Sequence, residues 1–194
     1  DGGAIIYNKL SIFPKSCVTP QDYYQYNFNQ SIRFYSDFIN KLKNKHKFQL
    51  TTQIKYLSRY NPRLFTELDG LINWNFKSYD LINFINAFDE PYKGASTYLN
   101  NGNFGKLYLK KVHLHGGDTP NHPYMAGIVS RHDKDWIVVC TSSKHMLLIE
   151  EVLDQSGNNI IEKIKVGDRF FSPQSELDLA KKKRVYFNSR GKKD

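Results

Sequence analysis

The sequence predicts an α/β piece followed by a small β-barrel, and three observations predict it. A short apolar run, Ala4-Ile5-Ile6-Tyr7, leads into one long amphipathic helix. After Pro91 the pattern changes to five short β-prone runs. Clusters of Gly, Asn, Asp and Pro separate those runs at turn-like spacing. With 194 residues, 40% of them hydrophobic and 14% aromatic, the chain can furnish a core.

The run at 4–7 reads as a buried strand. Thr19 followed by Pro20 supplies an N-cap and a proline at the first helical position. Phe28, Ile32, Tyr35, Ile39 and Leu42 then recur at helical spacing, up to a basic end at Lys41, Lys43 and Lys45, which predicts a helix over 20–44. One strand and one helix cannot cover their apolar faces or pair their backbone groups, so residues 1–44 are expected to be the tail of a larger α/β sheet. Residues 45–73, with turn signals at Asn61-Pro62 and Asp69-Gly70, read as an extended connector. Ser78 is expected to cap a short helix whose Leu81, Ile82, Ile85 and Phe88 share one face.

Strands are expected at Ala95–Leu99, Lys106–Leu114, Gly127–Arg131, Trp136–Thr141 and His145–Leu153, with tight turns at Asn101-Gly102 and at Ser156-Gly157-Asn158. Five short strands closing on themselves give an OB-like barrel over 74–173, counting its leading helix. The basic end from Lys181 through Lys193 reads as a final helix and loose tail, so 174–194 forms the last segment.

A net charge of +9 favours an anionic partner such as RNA or a sugar nucleotide. A composition rich in Asn, Lys, Ile, Phe and Tyr accounts for that charge as readily, so charge does not name the partner. No apolar run approaches the roughly 20 residues of a membrane span, and the start lacks a signal-peptide pattern, so a soluble cytoplasmic protein is expected. Cys17 and Cys140 are expected to be buried and unpaired. His113, His115, Asp118 and His122 match no compact zinc spacing, and no metal is expected. Trp74 and Trp136 are expected in the core, with base stacking as the alternative.

Two segments carry a family resemblance. Asp69-Gly70-Leu71-Ile72-Asn73-Trp74, and then Ala87-Phe88-Asp89-Glu90-Pro91-Tyr92-Lys93-Gly94-Ala95, resemble the passage between the two domains of the methionyl-tRNA formyltransferase superfamily. Ile164–Pro173 is similar to the "Val-Gly-Asp-x-Phe" that closes some members' barrel, and Asp1-Gly2-Gly3-Ala4-Ile5-Ile6 to the family's "Asp-x-Gly-x-Ile". The similarity runs over essentially the whole chain. It implies that residues 1–44 end a Rossmann-like catalytic domain and that 10-formyltetrahydrofolate is the formyl donor.

The resemblance also implies site residues. Asp1 takes the place of the family's catalytic aspartate, and Gly2 and Gly3 let the backbone approach the folate closely. Arg59, Tyr60 and Arg63 fall where similar enzymes carry an Arg/Pro-rich stretch near the acceptor; they either hold a phosphate there or merely pin the connector, the second being the commoner role of surface arginines. The family's other catalytic residues, an asparagine and a histidine in an upstream "Asn-x-His-x-Ser", are expected to be absent, with no Asn and His of this chain standing at that spacing and none of its six histidines filling the role. Formyl transfer to an amine needs a donor for the developing oxyanion and a base for the amine proton. Asp1 is then the carboxylate that orients the imidazole. The chain alone is expected to be catalytically silent. Methionyl-tRNA is the expected acceptor and an amino-sugar nucleotide the alternative, because Asp-Gly-Gly-Ala departs from the Asp-Thr-Gly of the tRNA enzymes. A non-catalytic nucleic-acid-binding barrel is the reading from another class.

Overall fold

The computed structural model describes residues 3–54, 56, 59, 61, 63–183, 185–188 and 191–193. The chain divides into two compact units, Asp1–Arg63 and Leu64–Asp194.

The first unit is organised by α1 (Pro20–Lys43). Its start is a capping box: the Thr19 hydroxyl accepts the Asp22 N–H, and the Asp22 carboxylate accepts the Thr19 N–H at 2.9 Å. Phe34 and Phe38 on one face meet Tyr7 at ring separations of 5.1 and 5.9 Å, and Phe38 meets Phe48 at 5.3 Å. The predicted stripe of Phe28, Ile32, Tyr35, Ile39 and Leu42 lies exposed. The run at 4–7 is not a buried strand. Its pairing is an isolated antiparallel bridge between Ile5 and Thr51, and Ile6 is 52% exposed. Apolar character alone cannot bury a strand when its unit offers no sheet to lie on, and among the described residues this one offers none.

The second unit opens with α2 (Thr66–Asp69), within what the sequence suggests is plain connector. Asp69 closes it by accepting the Phe65 N–H at 2.7 Å. Next comes α3 (Ser78–Ala87), whose Leu81 and Ile85 are fully buried. Ser78 is not its cap. It is the first helical residue, and its own N–H is satisfied by the Ser143 hydroxyl at 2.8 Å.

All five expected strands form, the first with its expected ends and the others with altered ones: β1 (Ala95–Leu99), β2 (Leu107–His115), β3 (Val129–His132), β4 (Ile137–Val139) and β5 (Met146–Leu153). A sixth, β6 (Phe170–Phe171), is too short to show as a periodic run. The strands order as β3-β4-β5-β2-β1-β6, every pair antiparallel. The sheet curls until its two ends meet. Ile128 bridges Arg169, Val129 N–H donates to Asp168 O at 2.8 Å, and Phe170 N–H donates to Gly127 O at 2.8 Å. The expected five-stranded barrel is thus a curled six-stranded sheet, because closure is made by the extra strand.

Along the free edge of β1, Ser96 N–H donates to Gly70 O at 2.7 Å and Ile72 N–H to Ser96 O at 2.9 Å, so the 70–72 segment covers what β6 leaves open. Trp74 donates to the Thr97 hydroxyl at 2.9 Å, and that hydroxyl is 2.9 Å from Phe171 O. The core packs α3 against β1, β2 and β5.

The basic end differs from expectation. A helix forms at the start of the expected 174–194 segment, as α4 (Gln174–Lys182) after Pro173, but β7 (Tyr186–Asn188) pairs with β8 (Gly191–Lys193) where a loose tail is expected. Glu176 anchors α4 by accepting the Tyr98 hydroxyl at 2.7 Å. Burial, then this bond, pushes the Tyr98 phenol up to about 12. Among the described residues no helix is long and apolar enough to cross a membrane.

Gly127 has φ +83°, and a Cβ there would sit 2.1 Å from Phe170 O. Gly127→Ala is expected to cost about 2–4 kcal/mol of unfolding free energy in urea titrations, through backbone strain plus the clash. Gly157→Ala, at φ +85° and facing open space, serves as the control for strain alone. Equal costs for the two would show that the close approach contributes nothing.

Candidate functional site

Of the residues the sequence singles out, Asp1, Gly2 and Tyr60 lie outside the described residues. Gly3 is exposed, and its carbonyl accepts the Gln53 side-chain amide at 2.7 Å. Main-chain bonds between Ile5 and Thr51, at 2.8 and 2.9 Å, zip the same two segments together. The structure therefore brings Gly3 onto the connector that goes on to Arg59 and Arg63, both exposed.

Behind this pairing the Tyr7 hydroxyl donates to the Asp37 carboxylate, which raises the phenol above its ordinary value, and Lys41 lies 5.5 Å from the ring centre. Contrary to the expectation that no Asn and His stand at that spacing, Asn44-Lys45-His46 has the first three positions of the family's Asn-x-His-x-Ser, followed by Phe48 in place of Ser. Its local role is structural. Asn44 is the C-cap of α1, Lys45 takes the left-handed conformation at φ 53°, and the His46 ring packs on Phe48 at 5.1 Å. It also follows Asp1 in the chain, where the family motif precedes the aspartate.

The second unit explains why the 87–95 segment has its composition. Asp89, 3% exposed, accepts the Glu90 N–H at 2.7 Å and the Lys111 N–H at 2.9 Å. The second bond satisfies the strand backbone where Lys111 departs from β geometry at φ 50°. Lys110 is buried beside it, 3.9 Å from Asp89 and 2.6 Å from Glu90. Gly94, at φ +110°, lets the chain pass β2, since a Cβ would meet Leu109 O at 2.8 Å. The 165–170 segment is built similarly: Asp168 accepts the Lys165 N–H at 2.8 Å and the Asn101 amide at 3.0 Å, and Phe170 stacks on Trp74 at 5.8 Å.

Three surface features of this unit lie outside the sequence-derived site. An open groove of about 370 Å³ is lined by Lys111, Lys134, Asp135, Glu150, Glu151 and Glu162, among others. Lys111 is already paired with Glu151 at 2.6 Å, which raises the lysine above its ordinary value. On the β3–β4 hairpin Arg131 lies 5.2 Å from the Trp136 ring, and near the sheet closure Arg169 lies 4.5 Å from the ring of Tyr124. Trp136 is therefore half-exposed rather than core, whereas Trp74 is buried. Arg and its aromatic partner are far apart in sequence in the second pair, which is why no local signal announces it.

The histidines do not converge. His113 is near Glu150 at 3.5 Å, with both side chains exposed, His145 packs on Tyr79 at 5.2 Å, and His132 is 3.1 Å from Ile161 O. Among the described residues no group of three His, Cys, Asp or Glu side chains could hold a metal ion. Cys17 and Cys140 are both buried and free.

Residues 65–163, about half of the chain, match the family model described as the formyl transferase, C-terminal domain. The match includes the 69–74 turn and the 87–95 segment; Asp1–Gly3 and 164–173 lie beyond it. No curated protein matches the chain.

Asp89→Ala would leave the Lys111 and Glu90 N–H groups without their acceptor, while Lys110 keeps Glu90 at 2.6 Å, so a loss of about 1–3 kcal/mol is expected in chemical denaturation. A loss below about 0.5 kcal/mol, typical of a surface change, would contradict that role. Asp22 gives a pH test. The backbone N–H groups of Thr19 and Val18, then the Thr19 hydroxyl, hold its carboxyl below the ordinary value. Its contribution to α1 is therefore complete above the unfolded value of about 3.9 and lost as pH falls through the lowered folded one. Far-UV circular dichroism of Asp22→Asn should lack this step; an identical profile would rule it out.

Proposed function

The chain belongs to the formyl transferase family through this C-terminal domain, and from that premise we propose that it serves a cytoplasmic enzyme moving a formyl group from 10-formyltetrahydrofolate to a primary amine, with methionyl-tRNA as acceptor. The match over 65–163 carries the reading. It covers the interdomain turn and the Asp89–Gly94 segment, whose side chains fix the helix-to-sheet passage. The exposed stripe Phe28, Ile32, Tyr35, Ile39 and Leu42 supports a partner surface for the first unit, of the kind an α/β sheet offers.

In this reading Asp1 orients and charges a catalytic histidine, and Gly2 and Gly3 admit the folate. A separate asparagine meets the oxyanion. Arg59, Tyr60 and Arg63 hold the acceptor side. The net charge of +9 suits an RNA acceptor. An amino-sugar nucleotide is the second reading, favoured by Asp1-Gly2-Gly3-Ala4 in place of Asp-Thr-Gly. A nucleic-acid-binding module without catalysis would instead bind RNA with steep salt dependence and no response to folate.

The test is formyl transfer from 10-formyltetrahydrofolate, assayed with initiator methionyl-tRNA and with amino-sugar nucleotides. The chain is assayed alone and joined to a formyltransferase segment carrying the Asn-x-His-x-Ser motif. The joined enzyme is expected to turn over, and Asp1→Asn to lower kcat by about four orders of magnitude. The chain alone is expected to be silent. Turnover by the chain alone, or full activity of Asp1→Asn, would refute the assignment of Asp1.

A further inference from the structure

Tyr124 is 72% exposed, yet its main chain is held on both sides. It is the middle residue of the 3-10 turn Pro123–Met125, where the His122 imidazole accepts its N–H at 3.2 Å. Its carbonyl accepts Nη2 of Arg169 at 2.7 Å, and the same guanidinium stacks 4.5 Å from the ring centre. Arg169 is itself fixed, donating its N–H to the Asn100 side chain at 2.7 Å and accepting the Asn100 N–H at 3.0 Å.

A lone exposed tyrosine is ordinary. This one differs because a cation is held against it without being consumed. A guanidinium has five N–H donors, and the Tyr124 carbonyl takes one. The clamp is not needed to close the sheet, since Gly127, Ile128 and Val129 already make that closure through the main chain. What remains is a rigid aromatic face with an arginine whose other donors can meet an anion. Exposed Met125 adds apolar surface beside it.

The geometry points to a nucleotide-binding platform: a base stacks on the face of the exposed Tyr124 ring opposite the Arg169 guanidinium, and its phosphate is met by the remaining donors of Arg169. Bases stack on aromatic rings without much regard to sequence, and arginine adds charge and cation–π attraction. The shared chemistry, base plus phosphate, has two sources. One is an unpaired nucleotide of an RNA, the other the nucleoside diphosphate of an activated sugar. The Arg131–Trp136 pair on the β3–β4 hairpin separates them in the test: a response there to an oligonucleotide that a mononucleotide does not give marks a strand longer than one nucleotide. Binding needs neither formyl donor nor catalytic residues, so failure of formyl transfer leaves the platform standing, and the reverse.

The experiment titrates the whole chain with ADP, UDP and a single-stranded oligouridylate, by calorimetry and by tryptophan fluorescence, which Trp136 reports from the surface. At least one probe is expected to bind. Tyr124→Ala should weaken that binding about ten-fold or more, while Tyr124→Phe, which keeps the ring, stays within about two-fold. Arg169→Gln should flatten the salt dependence. Oligouridylate binding with quenching that Trp136→Leu abolishes assigns the RNA source; nucleoside diphosphate binding without quenching assigns the sugar nucleotide. No binding of any probe, or equal affinity for Tyr124→Ala and Tyr124→Phe, would overturn the platform. Unchanged thermal midpoints in both tyrosine variants exclude misfolding as the cause.

Discussion

The second unit depends on one close backbone approach, that of Gly127 to Phe170. Any side chain at 127 would occupy the space of the Phe170 carbonyl, and without that contact the curled sheet has two open ends. Open edges expose unpaired N–H and C=O groups. With the contact made, β6 is fixed beside β1 and Phe170 is held under Trp74. The indole N–H, the Thr97 hydroxyl and the Phe171 carbonyl then form one hydrogen-bonded chain across three segments. Arg169, between Asp168 and Phe170, is positioned by the same closure, so the platform with Tyr124 is a consequence of how the sheet ends.

The passage from α3 to β1 is a second fixed point, and its logic is electrostatic. Asp89 is buried, and a buried carboxylate persists only if its oxygens are occupied and a cation is near. Lys110 supplies the charge, while the N–H groups of Glu90 and Lys111 supply the bonds. The same bonds satisfy β2 where it departs from regular geometry. The part of the family match that covers this segment thus contains residues that shape a connection.

Helix α1 shows a different balance. Its capping box and basic last turn define both ends locally, and one face is occupied by an aromatic cluster with Tyr7 and Phe48. The other face, equally regular in sequence, is exposed. Periodicity says that a face is apolar; it does not say what lies on it.

The sequence by itself determined the elements whose causes are local. Thr19-Pro20 and the basic turn fixed α1, the β-prone runs fixed five strands, and the 69–74 and 87–95 segments carried the family. It did not determine β6, two residues long, or the β7–β8 hairpin, or that Ser143 rather than Ser78 satisfies the start of α3. Nor did it announce that Tyr124 and Arg169 meet. Each of those depends on a contact between residues distant in the chain. Propensity and spacing act over a few residues, whereas closure, burial and the pairing of a cation with a ring are decided only once the sheet has curled.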